Sequence, residues 1–242
     1  MVLIKRLILM IQFLTIIPLP AKFDAREEDY GKGLAFAPFA GLILGGIMML
    51  LYSLLEAFFP DTVLGVIILV IYIVLTGGLH FDGLGDTFDG LFSNRSKEKM
   101  LEIMRDSRVG TNAVLAIISV FALDTVLLAS IDTDWIKSAL ILMPVAGRMG
   151  SLLGAGISVY ARNNGLGKSF IDYCGIKEII IGAVIHLTVF YLVLGYIGLI
   201  TGILTILSAF LTVRLLTAKL GGATGDILGA VCELNQTAFL VL

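Results

Sequence analysis

The chain is short of charge. Asp, Glu, Lys and Arg together make up 15% of its 242 residues, against about a quarter in an average soluble domain. With 58% hydrophobic residues and a mean hydropathy of +1.00, this excludes a soluble enzyme, because a soluble chain of this length cannot hide so much apolar surface. It excludes a disordered chain for the same reason. Cysteine is scarce too. Cys174 and Cys232 show neither metal nor redox spacing, so a disulfide scaffold is excluded and each reads as a buried or idle thiol. No sign of charge dominates: the formal net charge is -2, which gives no global attraction to nucleic acid. The aromatic residues are scattered, without a pattern for stacking on bases. P-loop and dinucleotide fingerprints are missing.

What the chain does have is long apolar runs. A membrane-spanning helix needs about 20 mostly apolar residues. Leu34 to Leu55, Ala113 to Ile131 and Ile136 to Val159 are such runs, the second carrying Asp124 and the third Arg148, while Val63 to Leu79 is shorter and ends at Gly77-Gly78. Ile179 to Ile197 and Leu199 to Val213 form a pair broken near Gly195 and Gly198, and Ile227 to Leu242 is a shorter seventh. Backbone groups in lipid must be satisfied within the segment, and these runs do not alternate in polarity, so helices rather than barrel strands are expected. Leu3 to Ile17 ends in Pro18-Leu19-Pro20 without a small-residue cleavage site; it reads as an uncleaved helix, spanning or interfacial, within residues 1–20. The expected fold is all-α: one polytopic membrane bundle over residues 1–242, with six to eight membrane helices.

Basic residues assign the sides. Lys22, Arg26, Lys32, Arg95, Lys97, Lys99, Arg105, Arg108, Arg162, Lys168, Lys177, Arg214 and Lys219 fall in alternate connections, whereas the intervening ones hold Lys137 alone. The positive-inside rule makes the rich side cytoplasmic. Trp135 falls at the opposite interface.

The polar motifs collect on the rich side. In Thr76-Gly-Gly-Leu-His80-Phe-Asp82-Gly-Leu-Gly-Asp86-Thr-Phe-Asp89-Gly90 the three acids share one helical face. Close carboxylates repel one another, and a divalent cation with a taste for hard oxygen, Mg²⁺, relieves that. The competing reading is a solvated acidic helix end. His80 stands on the opposite helical face from the acids but remains a substrate-binding candidate. Met104-Arg105-Asp106-Ser107-Arg108-Val109-Gly110-Thr111 offers two guanidinium forks three residues apart, suited to phosphate and equally readable as flanking positive charge. Ser107 or Thr111 is available to cap the helix that follows. Gly221-Gly222-Ala223-Thr224-Gly225-Asp226, with Gly229 and Glu233, reads either as an N-cap at Thr224 followed by a chance acid or as a second acidic patch facing the first. Tyr160 to Lys168, with Arg162 and Gly165-Leu166-Gly167, is either a phosphate-contacting loop or a plain polar one. Arg148 lies inside a span and is expected at a polar cavity or the cytoplasmic end; Asp124 and His186 are not expected to act.

These motifs together resemble the cobalamin synthase family, the adenosylcobinamide-GDP ribazoletransferases. Gly77 to Gly90, Met104 to Thr111, Gly221 to Gly229, Thr15-x-x-Pro18-x-Pro20 and the Gly165-Leu166-Gly167 loop carry the likeness across nearly the whole chain. Phe81 stands for the usual leucine, Gly85 for alanine, and Gln236 where some relatives have an acid. The resemblance implies that adenosylcobinamide-GDP reacts with α-ribazole or its 5'-phosphate, giving adenosylcobalamin or its 5'-phosphate and releasing GMP, with Mg²⁺ as cofactor. The expected partners are those two substrates and the lipid bilayer, not nucleic acid; a homo-oligomer is compatible with the sequence. Under this reading Asp82, Asp86, Asp89, Arg105 and Arg108 are the catalytic candidates. His80, Arg148, Arg162, Lys168 and Thr224 are the substrate-binding candidates, and Asp82, Asp86, Asp89, Asp226 and Glu233 the metal ligands. Two rivals fit less well. A CDP-alcohol phosphatidyltransferase would place Ala-Arg shortly after the first Asp-Gly, where Leu84-Gly85-Asp86 stands. A transporter would show paired polar breaks near mid-membrane in two halves.

Overall fold

Each apolar run is a helix in the computed structural model, which describes residues 2–242. The helices are α1 (Val2–Leu14), α2 (Glu27–Gly33), α3 (Ala37–Leu55), α4 (Asp61–Thr76), α5 (Leu79–Leu91), α6 (Lys97–Ile103), α7 (Thr111–Ser130), α8 (Thr133–Ile157), α9 (Gly167–Asp172), α10 (Ile176–Thr217) and α11 (Gly225–Val241). No strand occurs among the described residues; one isolated parallel bridge joins Tyr160 to Ala223. Four helical stretches are long and apolar enough to cross a membrane, or five if α4 and α5 count together.

The bundle is built around α8, the most buried of the long helices. Its Leu142, Met143, Val145, Ala146, Met149 and Leu152 are all wholly enclosed. Small residues let the neighbours approach it closely, as membrane helices commonly do. A Cβ at Gly41 of α3 would fall on the Pro144 backbone, and one at Gly45 on that of Ile141.

α10 is two antiparallel arms. His186 Nε2 lies 3.2 Å from the Gly202 carbonyl and 3.1 Å from Thr205 Oγ1. In a straight helix those positions would stand roughly 24 Å apart, at about 1.5 Å per residue. The reversal occurs at Gly195, whose φ of 61° and ψ of -137° lie where side chains with a Cβ are strained. The sequence break expected near Gly195 is therefore a hairpin turn within the bundle. α1 has 13 residues, a rise of roughly 20 Å against a hydrocarbon thickness of about 30 Å. Its Lys5 and Arg6 pair with Asp29 of α2 at 2.6 and 3.2 Å, so α1 is tied to the short helix that leads into α3 rather than standing alone.

Connections assigned to one side by charge do meet one another. Lys137 Nζ reaches Glu56 at 2.8 Å, joining the two basic-poor connections. Arg105 donates to the Asn164 carbonyl and Lys219 to that of Leu91, joining basic-rich ones.

Candidate active site

α4 ends on two successive left-handed glycines, Gly77 (φ 61°) and Gly78 (φ 72°). Two such residues in a row turn the chain by 91°, so α5 leaves the direction of α4 instead of prolonging it. α5 then crosses α11 at almost backbone contact. A Cβ on Gly83 would sit 2.7 Å from the Asp226 carbonyl oxygen, and one on Gly229 3.2 Å from that of His80. This crossing brings the first acidic motif against the third.

Asp226 begins α11 beside Thr224, which is its N-cap: Thr224 Oγ1 accepts from the Ile227 amide at 3.2 Å and donates to Asp226 Oδ2. The fourth motif is fastened alongside. The Ala161 amide donates to the Ala223 carbonyl and the Ala223 amide to that of Val159, each at 2.9 Å. This sets Arg162 Nη2 2.8 Å from Asp226 Oδ2. Asp82, His80, Arg162 and Asp226 all line one cavity of about 350 Å³. The acids there are crowded. Burial, then the charges of Asp226 and Asp82, push the Asp86 carboxyl up to about 7. Burial also pushes Asp226 up, against the pull of Arg162.

Other expected site residues go elsewhere. Asp89 accepts from the Gly110 amide at 2.6 Å and the Ala113 amide at 2.9 Å. Both its oxygens satisfy the exposed amides at the start of α7, so it caps that helix in place of Ser107 or Thr111. Arg105 is held by the Asn164 carbonyl at 2.8 Å. Arg108 lies on Asp106 through both oxygens, with its side chain 89% exposed, and holds the Asp106 carboxyl down at about 2. The two arginines thus do not converge on one point. Lys168 pairs with Asp172 at 2.7 Å and lies over the Tyr160 ring.

Glu233 and Arg148 lie deeper. Both are wholly buried and belong to a polar core beneath the cavity. Tyr72 donates to Glu233 Oε1 at 2.7 Å and Gln236 Nε2 to Glu233 Oε2 at 2.9 Å. Arg148 Nη1 donates to the Tyr72 hydroxyl and the Gln236 amide oxygen, at 3.0 and 3.2 Å. The expected partnership of Glu233 with Asp226 is not formed, because seven residues of helix carry Glu233 roughly 10 Å deeper. His80 connects the two levels. It borders the cavity, while its ring is turned to the other motif: Nδ1 stands 3.9 Å from Glu233 Oε1 without a hydrogen-bond partner. Tyr72 gave no signal in the sequence, since it sits as one apolar residue among many in a spanning run. Gln236 was marked only by the absence of an acid.

The whole chain from residue 6 to residue 242 matches the family model described as cobalamin-5-phosphate synthase. It belongs to the cobalamin-5-phosphate synthase family. An adenosylcobinamide-GDP ribazoletransferase of Acetivibrio thermocellus is 61% identical over 240 residues, covering 99% of this chain and 97% of its own. One of Clostridium acetobutylicum is 56% identical, covering 98% and 94%, and one of Thermoanaerobacter pseudethanolicus 41%, covering 98% and 96%. No solved structure matches. Membership makes this chain an enzyme, a transferase of cobalamin synthesis.

Proposed function

We propose that this chain joins adenosylcobinamide-GDP to α-ribazole or its 5'-phosphate in a Mg²⁺-dependent reaction at the cytoplasmic face of the inner membrane. The observation that carries the reading is the α5–α11 crossing at Gly83 and Gly229, which sets Asp82, Asp226 and Arg162 on one open cavity and leaves Asp86 within reach of their charges. The ribazole hydroxyl oxygen forms a bond to the corrinoid-bearing phosphorus, the bridging P–O bond breaks, and GMP leaves with that electron pair. Such a transfer depends mainly on positioning and on neutralising phosphoryl charge.

The donor set fits a hard divalent ion. Asp82, Asp86 and Asp226 offer oxygens alone, and the hydrogen bonds and ion pairs of the region go to Asp89 and Asp226, leaving Asp86 with burial and like charge that outweigh the pull of Arg162. Those three residues would hold Mg²⁺, which when bound supplies charge neutralisation at the phosphoryl oxygens and the leaving phosphate. Asp82, Asp86 and Asp226 are not drawn to within 4.8 Å of one another; the group that is, among the described residues, is His80, Cys232 and Glu233, which offers nitrogen and sulfur beside a single carboxylate and already has Arg148 in its network as a cation. Arg162 is the phosphate-binding residue of the cavity rim. Arg105, by tying the Asn164 loop down, positions Arg162. A carboxylate of the Asp82, Asp86 and Asp226 group takes the hydroxyl proton.

Counting α3, α4, α7, α8 and the two arms of α10 gives six crossings, with α11 as a shorter seventh and α1 at the interface. The contacts between basic-rich connections support putting the site on the cytoplasmic side. The test is GMP release by the purified protein in lipid or detergent. Release is expected only with both substrates and Mg²⁺ present; release without the ribazole substrate would overturn the reading.

A further inference from the structure

The cavity has two unlike halves. Its rim carries Asp82, Arg162 and Asp226. Its interior is a pouch between α1, α9 and α11, walled by Phe13, Leu14, Leu34, Phe170 and Leu228. The aromatic wall is fixed from behind. The rings of Phe13 and Phe170 lie 4.5 Å apart at 37°, and Tyr30 meets Phe170 edge-on at 5.7 Å. α9 is pressed onto α2 so closely that a Cβ on Gly31 would lie 2.6 Å from the Ser169 carbonyl oxygen. Of the polar side chains in the lining, Ser151 Oγ already donates to the Leu228 carbonyl at 2.9 Å, whereas His80 Nδ1 has no hydrogen-bond partner.

Size and polarity select the occupant. A volume of about 350 Å³ is at the small end for small-molecule sites, which run from roughly 300 to 1,000 Å³. It suits a nucleoside. A corrin macrocycle with its side arms is several times larger than a nucleoside and stays outside. Guanine, the base on the other substrate, is ringed by polar groups; the five apolar walls offer them no partners, and besides the charged rim only His80, Ser151 and Tyr160 bring polar side chains to the lining, too few to satisfy it, so burying it here is unfavourable. A flat fused-ring base with hydrocarbon edges loses nothing by entering, and gains stacking on the phenylalanine pair.

We propose that the pouch between α1, α9 and α11 holds the flat apolar base of the ribazole substrate, with Phe13 and Phe170 setting which bases are accepted. This rests on the transferase reading above and adds to it which substrate is enclosed and which lies outside. The riboside would then present its sugar hydroxyl to the rim, where Asp82 and Asp226 stand. α1, the helix too short to span, becomes one wall of the acceptor site.

Direct binding and kinetics together test this. α-Ribazole is titrated into the detergent-purified protein without the second substrate, following the intrinsic fluorescence of its fused ring, and KM for each substrate is measured by GMP release. Phe13→Ala and Phe170→Leu are expected to raise both Kd and KM for ribazole by about tenfold or more. KM for adenosylcobinamide-GDP should stay within about twofold. Phe13→Ala should also shift preference toward ribosides of bulkier bases. Ribazole affinity unchanged in both variants, or GMP competing with ribazole for the pouch, would overturn the proposal. Should these core variants misfold, Leu166→Trp replaces a side chain that is 89% exposed at the cavity mouth; it must weaken ribazole binding, and unchanged binding sinks the assignment. Wild-type protein that binds ribazole yet releases no GMP with both substrates would instead refute the reaction and leave the pouch in place.

Discussion

Gly83 of α5 and Gly229 of α11 meet face to face: a Cβ built on Gly229 would lie 3.4 Å from the Gly83 Cα. Neither position tolerates bulk, because what stands opposite is backbone. The distance between the two acidic motifs is therefore fixed by the absence of two side chains.

Gly83→Ala tests that directly. Its new methyl would meet the Asp226 carbonyl oxygen at 2.7 Å, and the helices must part. The expected result is a loss of about 1–3 kcal/mol in stability and about a hundredfold loss of GMP release from the misplaced acids. Gly46→Ala is the control, since nothing lies within 4 Å of its Cβ position; it should leave both properties near wild type. Melting in detergent and GMP release are the measurements.

Asp82 and Asp89, identical in sequence context, should behave as different residues. Asp82→Asn is expected to leave melting unchanged and nearly abolish turnover, by about a hundredfold or more. Asp89→Ala removes the acceptor for the Gly110 and Ala113 amides and should cost about 1 kcal/mol of stability. Near-normal turnover by Asp82→Asn would remove it from the metal site.

The crowded acids predict an unusual pH dependence. Asp86 is raised from 3.8 to about 7 by burial and by Asp226 and Asp82. A carboxyl with a raised folded-state pKa keeps its proton where the unfolded chain has lost it, so stability falls as pH rises. Metal-free protein should thus lose melting temperature between about pH 4 and 7. Mg²⁺ should restore it, most strongly at the upper end, where the carboxylates are free to bind. Asp86→Asn should flatten both responses; a melting temperature that rises through this range would contradict the account.

Sidedness is open to thiol labelling, because both native cysteines are buried. Phe58→Cys, at an exposed position beside the Glu56–Lys137 pair, should react with a membrane-impermeant reagent in intact cells. Arg95→Cys should react only after the cells are opened. The reverse result would place the cavity on the outer side.

The residues legible beforehand were those whose behaviour is local. An apolar run long enough for lipid must be helical wherever it lies, so α3, α4, α7 and α8 appear close to their expected bounds. Gly77, Gly78 and Gly195 mark reversals because they alone accept positive φ there. Thr224 caps α11 by a bond three residues long. The fates of the acids were not local. Asp82, Asp86 and Asp89 share a helical face, and only the arrival of the α7 amides diverts Asp89 from the cavity. Asp226 and Glu233 share another, yet depth in the bundle gives one to solvent and Arg162 and the other to Tyr72 and Gln236.

The amino-acid order by itself determined that this chain is helical, with several helices long and apolar enough to cross a membrane and its family motifs in the basic-rich connections, because hydropathy, glycine torsion and helix capping act over a few residues. Which of the charged groups face a common cavity was decided only by tertiary structure. That outcome depends on how closely two helix backbones cross, and no short stretch of sequence carries the coordinates of its partner.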